Sequence, residues 1–182
     1  MWITMLTTWN ATDGASYHAE LLGREFAKTH KLTVFAPTFE SISKDPHHLP
    51  IGKDEDFVIR GFEQTWGSRG WVDDRLCNEN CDVLVVEALD RMPIPTLLEM
   101  FPKIKAKKVQ VIHEWALPDN PGYYELDFDA IVCFVRWSPK FGQVVKSGFC
   151  SYNEYGIGGE HETEPKTHPS VQSQGSPGSI KR

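Results

Sequence analysis

Six short apolar runs punctuate the first 158 positions of the chain: residues 2–7, 32–36, 57–60, 83–87, 109–113 and 130–135. Four of them are continuous β-branched or aliphatic stretches rather than strict alternations, as strands covered on both faces require. Between them the period changes. Residues 16–30 set Tyr17, Leu21, Leu22 and Phe26 on one stripe spaced by three to five positions, which predicts a helix. Shorter helices are predicted at 69–80, 95–105 and 139–146, the last two opening on Pro95 and Pro139, where a helix tolerates proline. Strand alternating with helix predicts βαβ units, and so a single α/β domain with a Rossmann-like, doubly wound parallel sheet over residues 1–158. From Gly159 the pattern stops. Val171 and Ile180 are the only aliphatic residues of the Ser-, Gln-, Gly- and Pro-rich stretch 159–182, too few to offset the entropy of ordering it, so a disordered polar tail is expected there.

Composition and charge narrow the class. With 40% hydrophobic and 24% charged residues in 182, the chain can build one core but not two comfortable ones. Glu160, Glu162 and Glu164 balance Lys166, Lys181 and Arg182, so the net charge of -6 belongs to the part before the tail. No basic stripe is present for a nucleic acid. No apolar run nears the roughly 20 residues of a membrane helix, and the first residues have no basic leader or clear cleavage site. A cytoplasmic protein without a transmembrane segment is expected. Of four cysteines, Cys77 and Cys81 form one C-x3-C pair, while Cys133 and Cys150 stand apart. A structural zinc site needs two such pairs or a pair plus spaced histidines, so reduced thiols, no metal and no cofactor are expected.

Parallel α/β sheets bind ligands beyond the carboxyl ends of their strands, which directs attention to the residues following each run. After the first run comes Trp9-Asn10-Ala11-Thr12-Asp13-Gly14-Ala15-Ser16-Tyr17-His18. Asp13 or Ser16 can cap the helix, and Gly14 lets a ligand approach the backbone. The amides around Ala15, Ser16 and Tyr17 then face the crevice as an anion or phosphate site. A plain capped turn explains the same residues. The stretch is neither the G-x-G-x-x-G fingerprint nor a Walker A loop, which need further glycines. The fifth run ends at His113, followed by Glu114 and Trp115; a histidine there can donate to a hydroxyl or a developing charge, although a loop carbonyl would satisfy it too. The zincin pattern H-E-x-x-H fails, because Leu117 stands where its second histidine belongs. Glu87, Asp90 and Arg91 add carboxylates and a guanidinium at the same edge, Arg91 suiting a phosphate, a carboxylate or a surface ion pair. His47 and His48 lie in a polar loop and read as solvated, while Trp66, Trp71, Trp115 and Trp137 are candidates for stacking on sugar rings or for ordinary packing.

The order of these pieces resembles a known family. Residues 13–27, from Asp13-Gly14-Ala15-Ser16 to Phe26-Ala27, with the run Leu32-Thr33-Val34-Phe35-Ala36, are similar to the Gly loop, first helix and second strand of the amino-terminal half of GT-B glycosyltransferases. The nearest likeness is to the retaining group that includes glycogen synthases and bacterial lipid mannosyltransferases. Residues 83–87 resemble the family's fourth strand, and Val109-Gln110-Val111-Ile112-His113-Glu114 resembles the strand whose histidine lies near the reacting sugar. Phe128-Asp129-Ala130-Ile131-Val132-Cys133 and residues 148–158 resemble the closing strands of that domain. The departures are a single glycine in the first loop, Val135 for the usual serine, and Asn153-Glu154 for the usual proline.

The resemblance implies a cleft half that takes a sugar or lipid-linked acceptor, closes Gly14 and its neighbours over the phosphates of a nucleotide-sugar donor, and sets His113 against the transferred sugar. Glu87, Arg91 and Glu114 line the acceptor side, with Glu87 or Arg91 positioning the acceptor. The family's second, donor-binding domain with its Glu-x7-Glu pair has no counterpart after Gly158. Little turnover is therefore expected without a donor-binding partner chain or a longer product; a premature stop or shifted frame at that point is one hypothesis, and a genuine single-domain product is the other. The alternative is a stand-alone α/β module that binds a nucleotide or phosphorylated metabolite without chemistry. A glycoside hydrolase is the weakest reading, since no carboxylate pair stands out.

Overall fold

The computed structural model describes residues 1–44, 48–113 and 121–133. All of them fall in the first of two units into which the chain divides, Met1–Tyr152. The predicted helix 139–146, the closing strand, the tail from 159, and Glu114, Trp115, Trp137, His47 and Cys150 lie outside the described residues.

The strands are β1 (Trp2–Leu6), β2 (Lys31–Pro37), β3 (Val58–Phe62), β4 (Val83–Glu87), β5 (Lys107–Ile112) and β6 (Ala130–Cys133). They form one sheet in the order β3-β2-β1-β4-β5-β6, with every pairing parallel. This is the Rossmann-like α/β fold that the alternating pattern predicts. The order reverses between β1 and β4, so the chain opens a crevice at their carboxyl ends.

Burial follows the two-residue period of each strand and shows why the runs are continuous. Ile3 and Met5 of β1, Leu32, Val34 and Ala36 of β2 and Val85 of β4 join one core with Trp9 and Ala19. Leu6, Phe35, Leu84 and Val86 point the other way, into a second core with Leu76, Leu97, Met100 and Phe101. Both faces are covered, so both sets of alternate positions must be apolar. Helix α1 (Gly14–Phe26) covers the first face. Helices α3 (Arg75–Asn78) and α4 (Ile94–Met100) contribute to the second core, while α2 (Phe39–Ile42) follows β2 under a Thr38 cap.

Several element boundaries differ from the sequence expectation. Helix α1 begins two residues early at Gly14, because Asp13 caps it by accepting from the Ser16 amide at 2.8 Å, and it ends at Phe26. The helix expected over 69–80 is confined to Arg75–Asn78. The residues before it run extended, where Val72 bridges Phe62 and the Glu63 and Trp71 backbones are tied through Glu63 N to Trp71 O at 2.9 Å. The helix expected over 95–105 is α4 followed by a 3-10 turn at Phe101–Lys103, since Pro102 has no N–H for the α ladder. Strand β3 runs on through Gly61 and Phe62, where a side chain on Gly61 would collide with the Phe35 ring at 2.5 Å.

Candidate functional site

Three elements bring their ends to the crevice. Strand β1 runs into Thr7, Thr8 and Trp9, and Asn10 turns the chain in the left-handed region at φ 49°. The Asn10 backbone N–H donates to Glu20 Oε1 at 3.0 Å, and Ser16 Oγ donates to the same oxygen at 2.9 Å while accepting from Ala11 N at 3.0 Å. The loop is thus tied to the first turns of α1. Gly23, two turns on, lets the helix lie against Trp9: a methyl group there would sit 2.7 Å from the indole.

Strand β4 ends on Glu87, whose side chain is fully buried. The next residue, Ala88, is buried and left-handed at φ 54°, a conformation that costs an L-residue about 1–2 kcal/mol and is held here by its surroundings. It swings the chain into the short 3-10 turn Leu89–Arg91. Strand β5 ends on Ile112, and His113 follows directly.

These ends meet on one carboxylate. His18 Nδ1, from one turn inside α1, and His113 Nε2 each lie 2.9 Å from Glu87 Oε2. An ionised carboxylate only accepts, so with Glu87 ionised each ring donates its N–H. The two imidazoles stand edge to face with centroids 4.9 Å apart. Glu87 Oε1 is buried with no hydrogen-bond partner among the described residues. The His18 and His113 side chains are partly exposed, at 31% and 22%, so the pair faces the crevice while the carboxylate lies beneath it.

A second group flanks the first. Arg91 Nη1 lies 3.0 Å from Asp13 Oδ1, the oxygen that also caps α1, and its guanidinium carbon sits 5.6 Å from the Trp66 ring. Trp66 is 52% exposed and left-handed at φ 52°, and its amide and that of Thr65 donate to the Arg91 carbonyl at 3.3 and 2.9 Å.

Of the residues that the sequence nominates, Asp13, Arg91, Glu87 and His113 come together here. Gly14 opens α1 with nothing within 4 Å of where a side chain would begin, so neither packing nor a left-handed φ demands a glycine. Ser16 and Ala15 are buried, and the Ser16 hydroxyl is spent on Glu20 and the Ala11 amide. Tyr17 is 67% exposed on the outer side of α1. Glu87 turns onto the two imidazoles rather than outward. Sequence reasoning passes over His18, which it meets only inside the α1 stretch. Its spacing of four from Gly14, on the same helical face, was the available signal.

Cys77 and Cys81 lie away from this edge, at a hollow of about 570 Å³ shared with Lys103, Lys105 and Lys107. Burial pushes both thiols up, which favours their protonated form. Among the described residues no helix is long and apolar enough to cross a membrane. No family model and no solved structure matches the chain at a significant level.

Proposed function

We propose that the chain forms the acceptor-side half of a GT-B-type glycosyltransferase cleft, with the sugar handled at His113. The observation that carries the reading is the contact of Glu87 Oε2 with His113 Nε2 at 2.9 Å, at the carboxyl edge beside the start of α1. A buried carboxylate that orients one imidazole at a strand end is how enzymes hold a histidine in a chosen tautomer. In this role His113 hydrogen-bonds a hydroxyl of the transferred sugar. Gly14 gives donor phosphates access to the backbone of α1, and Arg91 positions the acceptor. Stabilising the departing nucleotide needs cations and helix dipoles from a donor-binding half, supplied by a partner chain or a further domain.

The test is a titration of the chain with UDP-glucose and GDP-mannose, each set against UDP and GDP alone. The sugar-bearing forms are expected to bind more tightly, and His113→Ala is expected to erase that difference while leaving the melting temperature in place. Equal binding of bare and sugar-bearing nucleotides by both proteins overturns the reading, and a large loss of thermal stability in His113→Ala assigns His113 to the packing instead. The exposed Trp66 ring beside Arg91 favours the second reading, a module that binds a nucleotide or phosphorylated metabolite without chemistry, by stacking and charge. Nucleotide binding that depends on Trp66 but not on His113 is its signature.

A further inference from the structure

The geometry points to a divalent transition-metal site formed by His18, Glu87 and His113, of the class that takes zinc, a site not foreshadowed by any metal motif in the sequence. Two imidazole nitrogens and a carboxylate oxygen are a donor set that suits zinc and its first-row neighbours. The three come from α1, the end of β4 and the residue after β5, so the rigid sheet and helix hold their spacing. Their ligand atoms all lie within 4.8 Å of one another, with both nitrogen-to-oxygen separations at 2.9 Å. An ion with bonds of about 2.1 Å sets tetrahedral donors about 3.4 Å apart. The two nitrogen-to-oxygen contacts would open by roughly half an ångström to reach that arrangement.

Charge argues in the same direction. A fully buried carboxylate is unstable as an ion unless a positive charge compensates it. The guanidinium in this corner, Arg91, is paired with Asp13. Among the described residues the groups against Glu87 Oε2 are the two imidazoles, and an ion bound among the three would supply a positive charge there. Glu87 Oε1, buried with no hydrogen-bond partner among the described residues, is an acceptor that the hydrogen-bonded arrangement does not explain and that a carboxylate bridging toward a cation would use. The partial exposure of both histidines gives an ion a path from the crevice and leaves its outer face open to water or to a ligand oxygen.

The inference does not rest on glycosyl transfer; a metal here would serve any oxygen-rich ligand in the crevice. The experiment is calorimetric titration of the EDTA-treated full chain with zinc chloride, paired with the visible spectrum after loading cobalt(II). One equivalent is expected to bind, to raise the melting temperature, and to give the spectrum of nitrogen and oxygen ligation without thiolate charge-transfer bands. His18→Ala and His113→Ala are each expected to weaken binding by about tenfold or more and to remove the zinc-dependent rise in melting temperature. His18 is partly exposed, so its variant keeps the test decisive even where Glu87→Gln fails to fold. No binding, thiolate bands, or unchanged affinity in His18→Ala overturns the site and leaves the cluster as two imidazoles hydrogen-bonded to Glu87.

Discussion

Arg91 reaches across the point where the strand order reverses and closes on Asp13, Nη1 to Oδ1 at 3.0 Å. That oxygen also accepts from the Ser16 amide at 2.8 Å, which starts α1, and from Thr8 Oγ1 at 3.4 Å. The cap and the ion pair separate by substitution. Asp13→Ala loses both the cap and the ion pair and is expected to cost about 1–3 kcal/mol, whereas Asp13→Asn keeps the cap and loses only the charge. Arg91→Ala should match the loss in Asp13→Asn, and the double variant should add little further. Urea unfolding of the four proteins checks the cycle; fully additive losses would show that the pair contributes nothing.

Two glycines of α1 make opposite demands. A side chain on Gly14 meets nothing within 4 Å, while one on Gly23 would strike the Trp9 indole at 2.7 Å. Gly23→Ala is expected to destabilise the domain by about 1–3 kcal/mol, overriding the roughly 1 kcal/mol that alanine gains in a helix. Gly14→Ala should leave stability unchanged or slightly raised, and any loss of sugar-nucleotide binding in it then reports a ligand approaching that backbone. Thermal melts of both variants, beside ligand titration of Gly14→Ala, decide the matter.

Acid lability is expected from Asp54 and Glu55, in the segment that leads into β3. Burial raises the Asp54 carboxyl, but hydrogen bonds from Arg60 and Asn10 outweigh it and hold its pKa below the usual range. Burial likewise opposes ionisation of Glu55, and donation from Trp9 Nε1 at 2.9 Å and Arg24 Nε at 2.7 Å again wins. A depressed folded-state pKa means the unfolded chain binds protons first as pH falls. The contribution of these two groups is complete above the ordinary carboxylate range near 3.8–4.5 and is lost as pH drops through the lower folded values. Unfolding free energy measured from pH 7 to pH 3 should fall in that window, and the fall should be shallower in Asp54→Asn with Glu55→Gln. An equally steep fall in the double variant would remove these residues from the cause.

Much of the fold was legible because its signals are local. Runs such as 83–87 and 32–36 are apolar at both odd and even positions, and only a strand with both faces covered uses such a run. The cap at Asp13 and the carboxyl-end rule named Asp13, Glu87, Arg91 and His113, which the structure pairs as Asp13 with Arg91 and Glu87 with His113. Where the reading failed, a distant partner had overruled local preference. Residues 69–74 have no proline and look helical, yet Val72 bridges Phe62, and a side chain on Gly70 would strike Thr65 at 2.5 Å. Propensity cannot register a competitor that arrives from another strand.

What the sequence determined by itself is the α/β layering and the parallel sheet, since both follow from periodicity and from strand-to-helix turns. Only the tertiary structure decided that His18 joins Glu87 across 69 positions, and that Glu87 joins His113 across 26. No pattern in the chain encodes those pairs, because their proximity comes from the strand order. By laying β4 between β1 and β5, the sheet brings the start of α1, the end of β4 and the residue after β5 onto one buried carboxylate.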